Sequence, residues 1–460
     1  MRAIEMVYCV TSSAGVQPSQ PGANSARRAW TLAAILAVAA LAIRLWCYTG
    51  LIASDDVIYA HYARGLASGR YSLEGNHLAL RFGLLLPVAA SYATLGISEA
   101  TTVLVPLLAS VASVVLLFFI ARRQFGLQAG VIAAVLLASF PLSIRYGSIL
   151  VPETVAELYI LAAVCLYLRA CESGRLTTAT AAGLTLGVAY LTRELAFFVA
   201  LAVFMEAAWQ RRWRLLFAIA LGSLAVVLGE HLYYWFAAGD PLFRLHAMAA
   251  HNQRPTAMAF REHPAWRFFR ALPHLMLIPS LGFGLHSLAA LALAALASFM
   301  LNIRRTALFL LWIVLPLFYL NFGTTSLKTY VAMPVGDRYL ELIYPPLFVL
   351  SGALLAVVLQ RKRGPLLTAA GVGLLAVSGI ICAHATRGSG WRTADVVRLR
   401  EMARTMKSES GTIVGFEGPS AWAWKGAIEV LDPALLGSTS LRSCVVRPDS
   451  EGLPVCVAQP

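Results

Sequence analysis

TVLVPLLASVASVVLLFFIARR, residues 102–123, decides the architecture. From Thr102 to Ala121 it carries no charge, and it has about the 20 residues a helix needs to cross the hydrocarbon of a bilayer. It ends in Arg122-Arg123, a pair of the kind held on the cytoplasmic side of a span. Outward from it, similar apolar runs recur at Trp30 to Ile43, Leu215 to Leu228 and Leu288 to Leu301. The 460 residues are 59% hydrophobic and 13% charged, against about a quarter charged residues in a soluble domain. No soluble core absorbs that surplus, so the bilayer is the solvent for most of the chain.

The net charge of +14 does not point to nucleic acid, because the basic residues sit in short clusters between apolar runs rather than on one face interleaved with stacking aromatics. Arg27-Arg28, Arg122-Arg123, Arg169 with Arg175, Arg211-Arg212-Arg214, Arg304-Arg305 and Arg361-Lys362-Arg363 are all expected to be cytoplasmic. They agree if spans run over about 29–50, 101–121, 127–147, 154–170, 176–192, 194–209, 215–237, 275–301, 306–322, 340–359 and 365–384. The expected fold is therefore an all-α polytopic membrane protein with about eleven transmembrane helices, the N-terminus cytoplasmic and the C-terminus extracytoplasmic. Making Phe82 to Ile97 a further crossing would invert every later cluster. This short run, with Pro87, Ser91, Tyr92 and Thr94, is expected to lie as an outer juxtamembrane helix.

Residues 1–28 are expected to form a disordered cytoplasmic tail, polar and rich in Ser, Gln, Pro and Gly through Asn24. The first apolar run reads as an uncleaved signal anchor. The transmembrane domain covers 29–386 and includes a first outer loop at 51–100. Residues 387–460 make a small extracytoplasmic region, with a polar helix around Thr393 to Lys407 and a strand at Thr412 to Phe416, which suggests an α/β appendage. Of seven cysteines, Cys444 and Cys456 alone suggest a disulfide pair there. The absence of an internal repeat or of paired broken spans argues against a secondary transporter.

Chemistry concentrates in the first outer loop, at Ser54-Asp55-Asp56-Val57-Ile58-Tyr59-Ala60-His61-Tyr62-Ala63-Arg64-Gly65-Leu66-Ala67-Ser68-Gly69. Two adjacent carboxylates head a short amphipathic helix. On spacing alone, Asp55 serves as a helix cap and Asp56 as a favourable first-turn charge. Other candidates are Glu153 after Pro152, with Glu157 one turn on, Arg193-Glu194 between two apolar runs, and Asp337-Arg338-Tyr339. Glu153 reads equally as a helix-start charge, while Arg193 and Arg338, each taken alone, read first as side chains reaching the interface, and Arg81 has the same ambiguity. Glu230 and His231, inside a span, are ionisable residues in lipid and so further candidates. His61, His246, His251 and His263 show no zinc-site spacing.

The doublet segment resembles the first outer loop of GT-C superfamily glycosyltransferases, of the protein O-mannosyltransferase and aminoarabinose-transferase type. The acidic pair Asp55-Asp56, the Tyr59-Ala60 step and the Ser68-Gly69 turn carry the resemblance, which extends in order and spacing over about the first 250 residues and returns at Arg338 to Gly352. It departs from the family at Pro152-Glu153, where the usual form is Asp followed by Pro.

The resemblance implies a membrane glycosyltransferase that takes a hexosyl or pentosyl group from a polyprenyl-phosphate donor and passes it to a lipid, glycan or protein acceptor on the extracytoplasmic side of a bacterial plasma membrane. Asp55 is then the general base. Asp56 and Glu153 orient the acceptor or hold a divalent cation, a cofactor the resemblance leaves open. Tyr59, Arg81, Arg193, Arg338 and Tyr339 bind substrate, with the guanidinium groups on the leaving phosphate. The competing expectation is a transporter or flippase of a lipid-linked saccharide, which needs the same arginines but no base.

Overall fold

The computed structural model describes residues 23–252, 284–324, 330, 337–361, 364–387, 393–408, 412–436, 443–450 and 452–458. Its helices are α1 (Ala23–Trp46), α2 (Asp55–Ala67), α3 (Phe82–Leu95), α4 (Glu99–Phe125), α5 (Leu127–Ser139), α6 (Pro141–Tyr146), α7 (Pro152–Ser173), α8 (Leu176–Thr192), α9 (Ala196–Trp209), α10 (Trp213–Ala238), α11 (Phe243–Asn252), α12 (Gly284–Met300), α13 (Ile303–Phe322), α14 (Tyr344–Val358) and α15 (Gly364–Thr386). Short 3-10 segments at His77–Leu80 and Asp337–Ile343 precede α3 and α14. The C-terminal part adds α16 (Thr393–Ser408), β1 (Thr412–Phe416), α17 (Ala421–Leu431), β2 (Ser443–Pro448) and β3 (Pro454–Ala458).

Among the described residues seven helices are long and apolar enough to cross a membrane: α1, α4, α7, α10, α13, α15, and α14 with the residues just before it. The shorter apolar helices α5, α8, α9 and α12 stand where the other four spans are expected. Lipid cannot satisfy a backbone N–H or C=O, so each crossing must be helical and the apolar runs have no other regular solution. The protein is a polytopic, all-α integral membrane protein. The segment expected to span 127–147 breaks at Phe140, because Pro141 has no N–H to continue α5 and opens α6 instead. The close pair α8 and α10 meets at glycines. A Cβ on Gly183 would overlap the Ile219 carbonyl oxygen, and one on Gly222 that of Thr180, so only the smallest residue permits this approach.

One end of the bundle gathers the basic clusters. There Arg123 pairs with Glu172, and Gln210 Nε2 donates to the Arg304 carbonyl at 3.5 Å. The opposite end carries α2, α3, α11 and the C-terminal appendage. Helix α3, expected as an outer juxtamembrane helix, is 14 residues long and buries Leu84, Leu85, Val88 and Tyr92 in the cluster that also holds Val57, Tyr59 and Tyr62 of α2.

The appendage is a three-stranded sheet in the order β1-β2-β3, parallel between β1 and β2 and antiparallel between β2 and β3. A disulfide joins Cys444 to Cys456 across β2 and β3. Its helix α17 lies on α2. The α-carbon of Gly426 sits so close that a Cβ there would come within 2.9 Å of Val57 Cβ, and Glu429 Oε2 reaches His61 Nδ1 at 3.3 Å and Arg64 Nη1 at 3.6 Å. Arg400 of α16 pairs with Glu99, whose Oε1 accepts from the Leu51 N–H at 3.1 Å. The appendage thus grips the stretch 51–64 at both ends.

Helix α1 starts at Ala23, inside the stretch 1–28 expected to be tail, because Ala26, Arg27 and Arg28 follow Gly22 with no breaker between them. Residues 1–22, and most of the outer segments expected at 239–273 and 323–338, lie outside the described residues.

Candidate active site

Asp55 and Asp56 open α2 but behave differently. Asp56 is buried, and its two oxygens accept from the backbone N–H groups of Ile52 at 2.8 Å and Ser54 at 2.6 Å. It closes a turn in which Ala53 takes φ 50°, the left-handed region that a side chain enters at some cost. Burial pushes the Asp56 carboxyl up to about 6, against the pull of those N–H groups. Asp55 points elsewhere. Its side chain is 29% exposed, and Oδ2 accepts from Arg338 Nη2 at 2.8 Å. Burial raises its pKa, but the charge and hydrogen bond of Arg338, with Arg81 and His77 farther off, outweigh burial and hold it below the usual value.

From Asp55 the ion pairs run inward. Arg338 Nε lies 3.7 Å from Glu153 Oε1, and Arg193 Nη2 lies 3.3 Å from the same oxygen. Glu153, in the first turn of α7 behind Pro152, is fully buried. Tyr339 gives both arginines a ring face, with Arg193 Cζ 4.3 Å and Arg338 Cζ 5.6 Å from its centroid.

A second series begins beside it. Arg81 stands 5.8 Å from the Tyr59 ring centre, and its Nη2 is 3.7 Å from Glu194 Oε2. Arg244 of α11 donates Nη1 to Glu194 Oε1 at 3.0 Å and Nε to Glu230 Oε1 at 2.9 Å. Its Nη2 also donates to the Leu80 carbonyl at 2.5 Å, one residue before Arg81. Glu194 is therefore clamped between two guanidinium groups, one on each carboxylate oxygen. The chain bond between Arg193 and Glu194 joins the two series.

All the sequence-derived candidates, Asp55, Asp56, Tyr59, Arg81, Glu153, Arg193, Arg338 and Tyr339, therefore converge at one end of the bundle. Four carboxylates (Asp55, Glu153, Glu194, Glu230) balance four guanidinium groups. Even so, buried donors are left over: Arg81 Nε and Nη1, and Arg193 Nε, have no hydrogen-bond partner among the described residues. Native interiors leave few such groups unpaired, and unused N–H donors on cations suit the oxygens of an anion.

A divalent cation does not fit Asp56 and Glu153. The first has its oxygens committed to backbone N–H groups, and the second faces two guanidinium groups. Among the described residues no three His, Cys, Asp or Glu side chains converge as a metal site. His61 pairs with Glu429 and His246 with Asp240, while His251 packs against His77 with the rings tilted by 40°; His263 lies outside the described residues.

Glu157 does not stand in for Glu153, since its charged neighbours are Arg44 and Glu341 deeper in the bundle. Glu230 bonds to Arg244 and to Tyr234. Sequence reasoning named Glu194 only within the Arg193-Glu194 segment, with no role of its own, and did not single out Arg244, Arg44 or Glu341. Arg44 and Glu341 carried the available signal, being ionisable residues in or beside apolar spans.

Residues 87–235 match the family described as dolichyl-phosphate-mannose-protein mannosyltransferase. No protein of curated function matches the chain in sequence. Among solved structures it is similar to ArnT from Cupriavidus metallidurans bound to undecaprenyl phosphate, with a TM-score of 0.61 at 13% identity over 90% of this chain and 92% of that one. It is also similar to the oligosaccharyltransferase of Archaeoglobus fulgidus in complex with zinc and sulfate, with a TM-score of 0.59 at 15% identity over 87% of this chain and 61% of that one. For the same archaeal enzyme, AglB, with an inhibitory peptide and a dolichol-phosphate, the TM-score is 0.53 at 12% identity over 89% of this chain and 65% of that one. At these identities the likeness is one of fold, and with the family match it bears out the resemblance that the Asp55-Asp56 loop carries: the chain has the fold of the GT-C superfamily.

Proposed function

We propose that the protein is a glycosyltransferase that moves one sugar from a polyprenyl-phosphate donor to an acceptor hydroxyl or amine on the extracytoplasmic side of the membrane. The observation that carries this reading is a half-buried carboxylate, Asp55, set beside buried arginines with unused donors at the end of a membrane bundle. A polyprenyl phosphate keeps its chain in lipid and its phosphate at the interface, the depth at which these groups meet. The undecaprenyl phosphate and dolichol-phosphate named with the similar structures are ligands of this class.

In the reaction, the acceptor oxygen or nitrogen attacks the anomeric carbon and gives its proton to Asp55. The bond from that carbon to the phosphate oxygen breaks, and its electron pair leaves with the polyprenyl phosphate. Arg81, Arg193 and Arg338 stabilise the charge that develops there, and the Tyr59 and Tyr339 rings hold their planes. Glu153, Glu194 and Glu230 keep the arginines in place, and Asp56 shapes the turn before Asp55. The basic clusters at the other end of the bundle set the orientation, leaving the site extracytoplasmic. The sugar is a hexose or pentose and the acceptor a lipid, glycan or protein.

The test compares sugar transfer by wild type, Asp55→Asn, Asp56→Asn and Glu153→Gln, each shown to be folded. Loss of a general base costs about a hundredfold to ten-thousandfold in rate, so Asp55→Asn should lose at least about a hundredfold, with the other two retaining more activity than it does. Near wild-type transfer by Asp55→Asn, with Asp56→Asn or Glu153→Gln inactive, would reassign the base.

A further inference from the structure

Of the four carboxylates paired with arginines at the site, Asp55 is held most lightly. Glu153 and Glu194 each face two arginines, and Glu230 has Arg244 and Tyr234. Among the described residues Asp55 is bonded to Arg338 alone, and its side chain is the most exposed of the four at 29%, against 20% for Glu194 and almost none for the others. Arg338 does not depend on Asp55 for its position, since Glu153 lies behind its Nε and the Tyr339 ring beneath it.

We infer that Arg338 is a seat which Asp55 and the donor phosphate occupy in turn. An arriving phosphate displaces the Asp55 carboxylate, which then faces the acceptor; when the lipid phosphate product leaves, the Asp55–Arg338 pair closes again. This rests on the reading above, in which the arginines bind the donor phosphate.

With Glu153 already behind its Nε, Arg338 would face three anions if Asp55 stayed in place while a phosphate arrived, and the surrounding protein screens their repulsion far less than water does. The donor phosphodiester carries a single charge, as the carboxylate does, but its two free oxygens can take the guanidinium in a bidentate fork, where Asp55 accepts one bond through one oxygen. A carboxylate hydrogen-bonded to a cation is also a poor proton acceptor, since the pair favours its charged form. The exchange therefore removes the partner that suppresses the base at the step where a base is needed. It also gives the product an intramolecular competitor that promotes its release.

The experiment is binding of farnesyl phosphate to the full chain in detergent micelles, by titration calorimetry, with farnesol as the uncharged control. Wild type, Asp55→Asn, Asp55→Ser and Arg338→Gln are compared, each with its thermal unfolding checked. Asp55 is the first residue of α2, with Ser54 at the cap position, and its side chain makes no cap bond, so two independent variants report on the competition without removing one. A hydrogen bond to a charged group contributes about 1.5–3 kcal/mol, so removing the competing carboxylate should tighten farnesyl phosphate binding by roughly tenfold or more. Farnesol binding should not change, and Arg338→Gln should bind farnesyl phosphate more weakly than wild type. If wild type prefers farnesyl phosphate to farnesol but the Asp55 variants bind it no tighter, the exchange is wrong and the proposed function stands. If no variant and no wild type prefers the phosphate, the arginines do not bind it, and both fall.

Discussion

Glu153 shows how a charge is kept in this interior. It is fully buried, its oxygens have no hydrogen-bond donor among the described residues, and what compensates it is the charge of Arg193 and Arg338. Removing one member of a buried ion pair costs about 3–5 kcal/mol, because the partner is left uncompensated. Glu153→Gln should therefore lower the thermal stability of the detergent-solubilised protein by several degrees. Glu172→Gln should change it little, since Glu172 pairs with Arg123 at a surface where its side chain is 59% exposed and such pairs contribute at most about 1 kcal/mol. Equal effects of the two substitutions in a melting experiment would mean that Glu153 is not held by its arginines. The legible part of the site follows the same division. Asp55, Arg193 and Arg338 stand in short segments whose types and order are visible in one dimension. Glu194 adjoins Arg193 in sequence, yet nothing along the chain assigns it a part. Arg244 gives no signal either, because a guanidinium at the start of α11 acquires meaning only when that helix folds back onto Leu80 and Glu230.

Helices of the bundle were legible as elements because the bilayer leaves no alternative to helix over an apolar run. Boundaries set by local chemistry were less so: α1 begins earlier than the polar composition suggested, and Pro141 divides one expected span into α5 and α6. Packing between elements was not legible at all. Nothing along the chain announces that α17, more than 350 residues after α2, rests on it through Gly426 and Glu429. That contact is pH-sensitive. The hydrogen bond from Glu429 raises the His61 pKa, so its contribution is complete below the unfolded value of about 6.5 and is lost as pH rises through the folded one. For Glu429, burial raises the pKa but His61, Arg64 and Lys425 outweigh it, so its contribution holds above about 4.5 and is lost as pH falls through its lowered value. Glu74 also favours His61 in its charged form, and Arg64 opposes it. The latch between α17 and α2 is thus strongest at about pH 4.5–6.5. Hydrogen exchange over residues 421–431, corrected for intrinsic rates, should be slower at pH 6 than at pH 8. The difference should be small, because the His61 side chain is 60% exposed, and it should vanish in His61→Ala.

At the scale of the whole molecule, the bundle does two things at once. Its apolar helices hold the protein in the bilayer, and their ends at one face bring α2, α7, the α8–α9 turn, α11 and the segment before α14 to a single cluster of charge. Acidic groups alone at that face would serve a cation, and arginines alone an anion. Both together, with one carboxylate partly open, suit a reaction in which an anion leaves as a proton is taken. The proposed orientation rests on the opposite face, where the basic clusters collect. The most direct measurement places purified protein in sealed vesicles and supplies a panel of polyprenyl phosphate sugars with a water-soluble acceptor on the side of the Asp55 face. The account predicts that one donor yields glycosylated acceptor and polyprenyl phosphate in equal amounts. Passage of the intact lipid-linked saccharide across the bilayer, with no sugar transferred from any donor, would contradict it and favour a flippase.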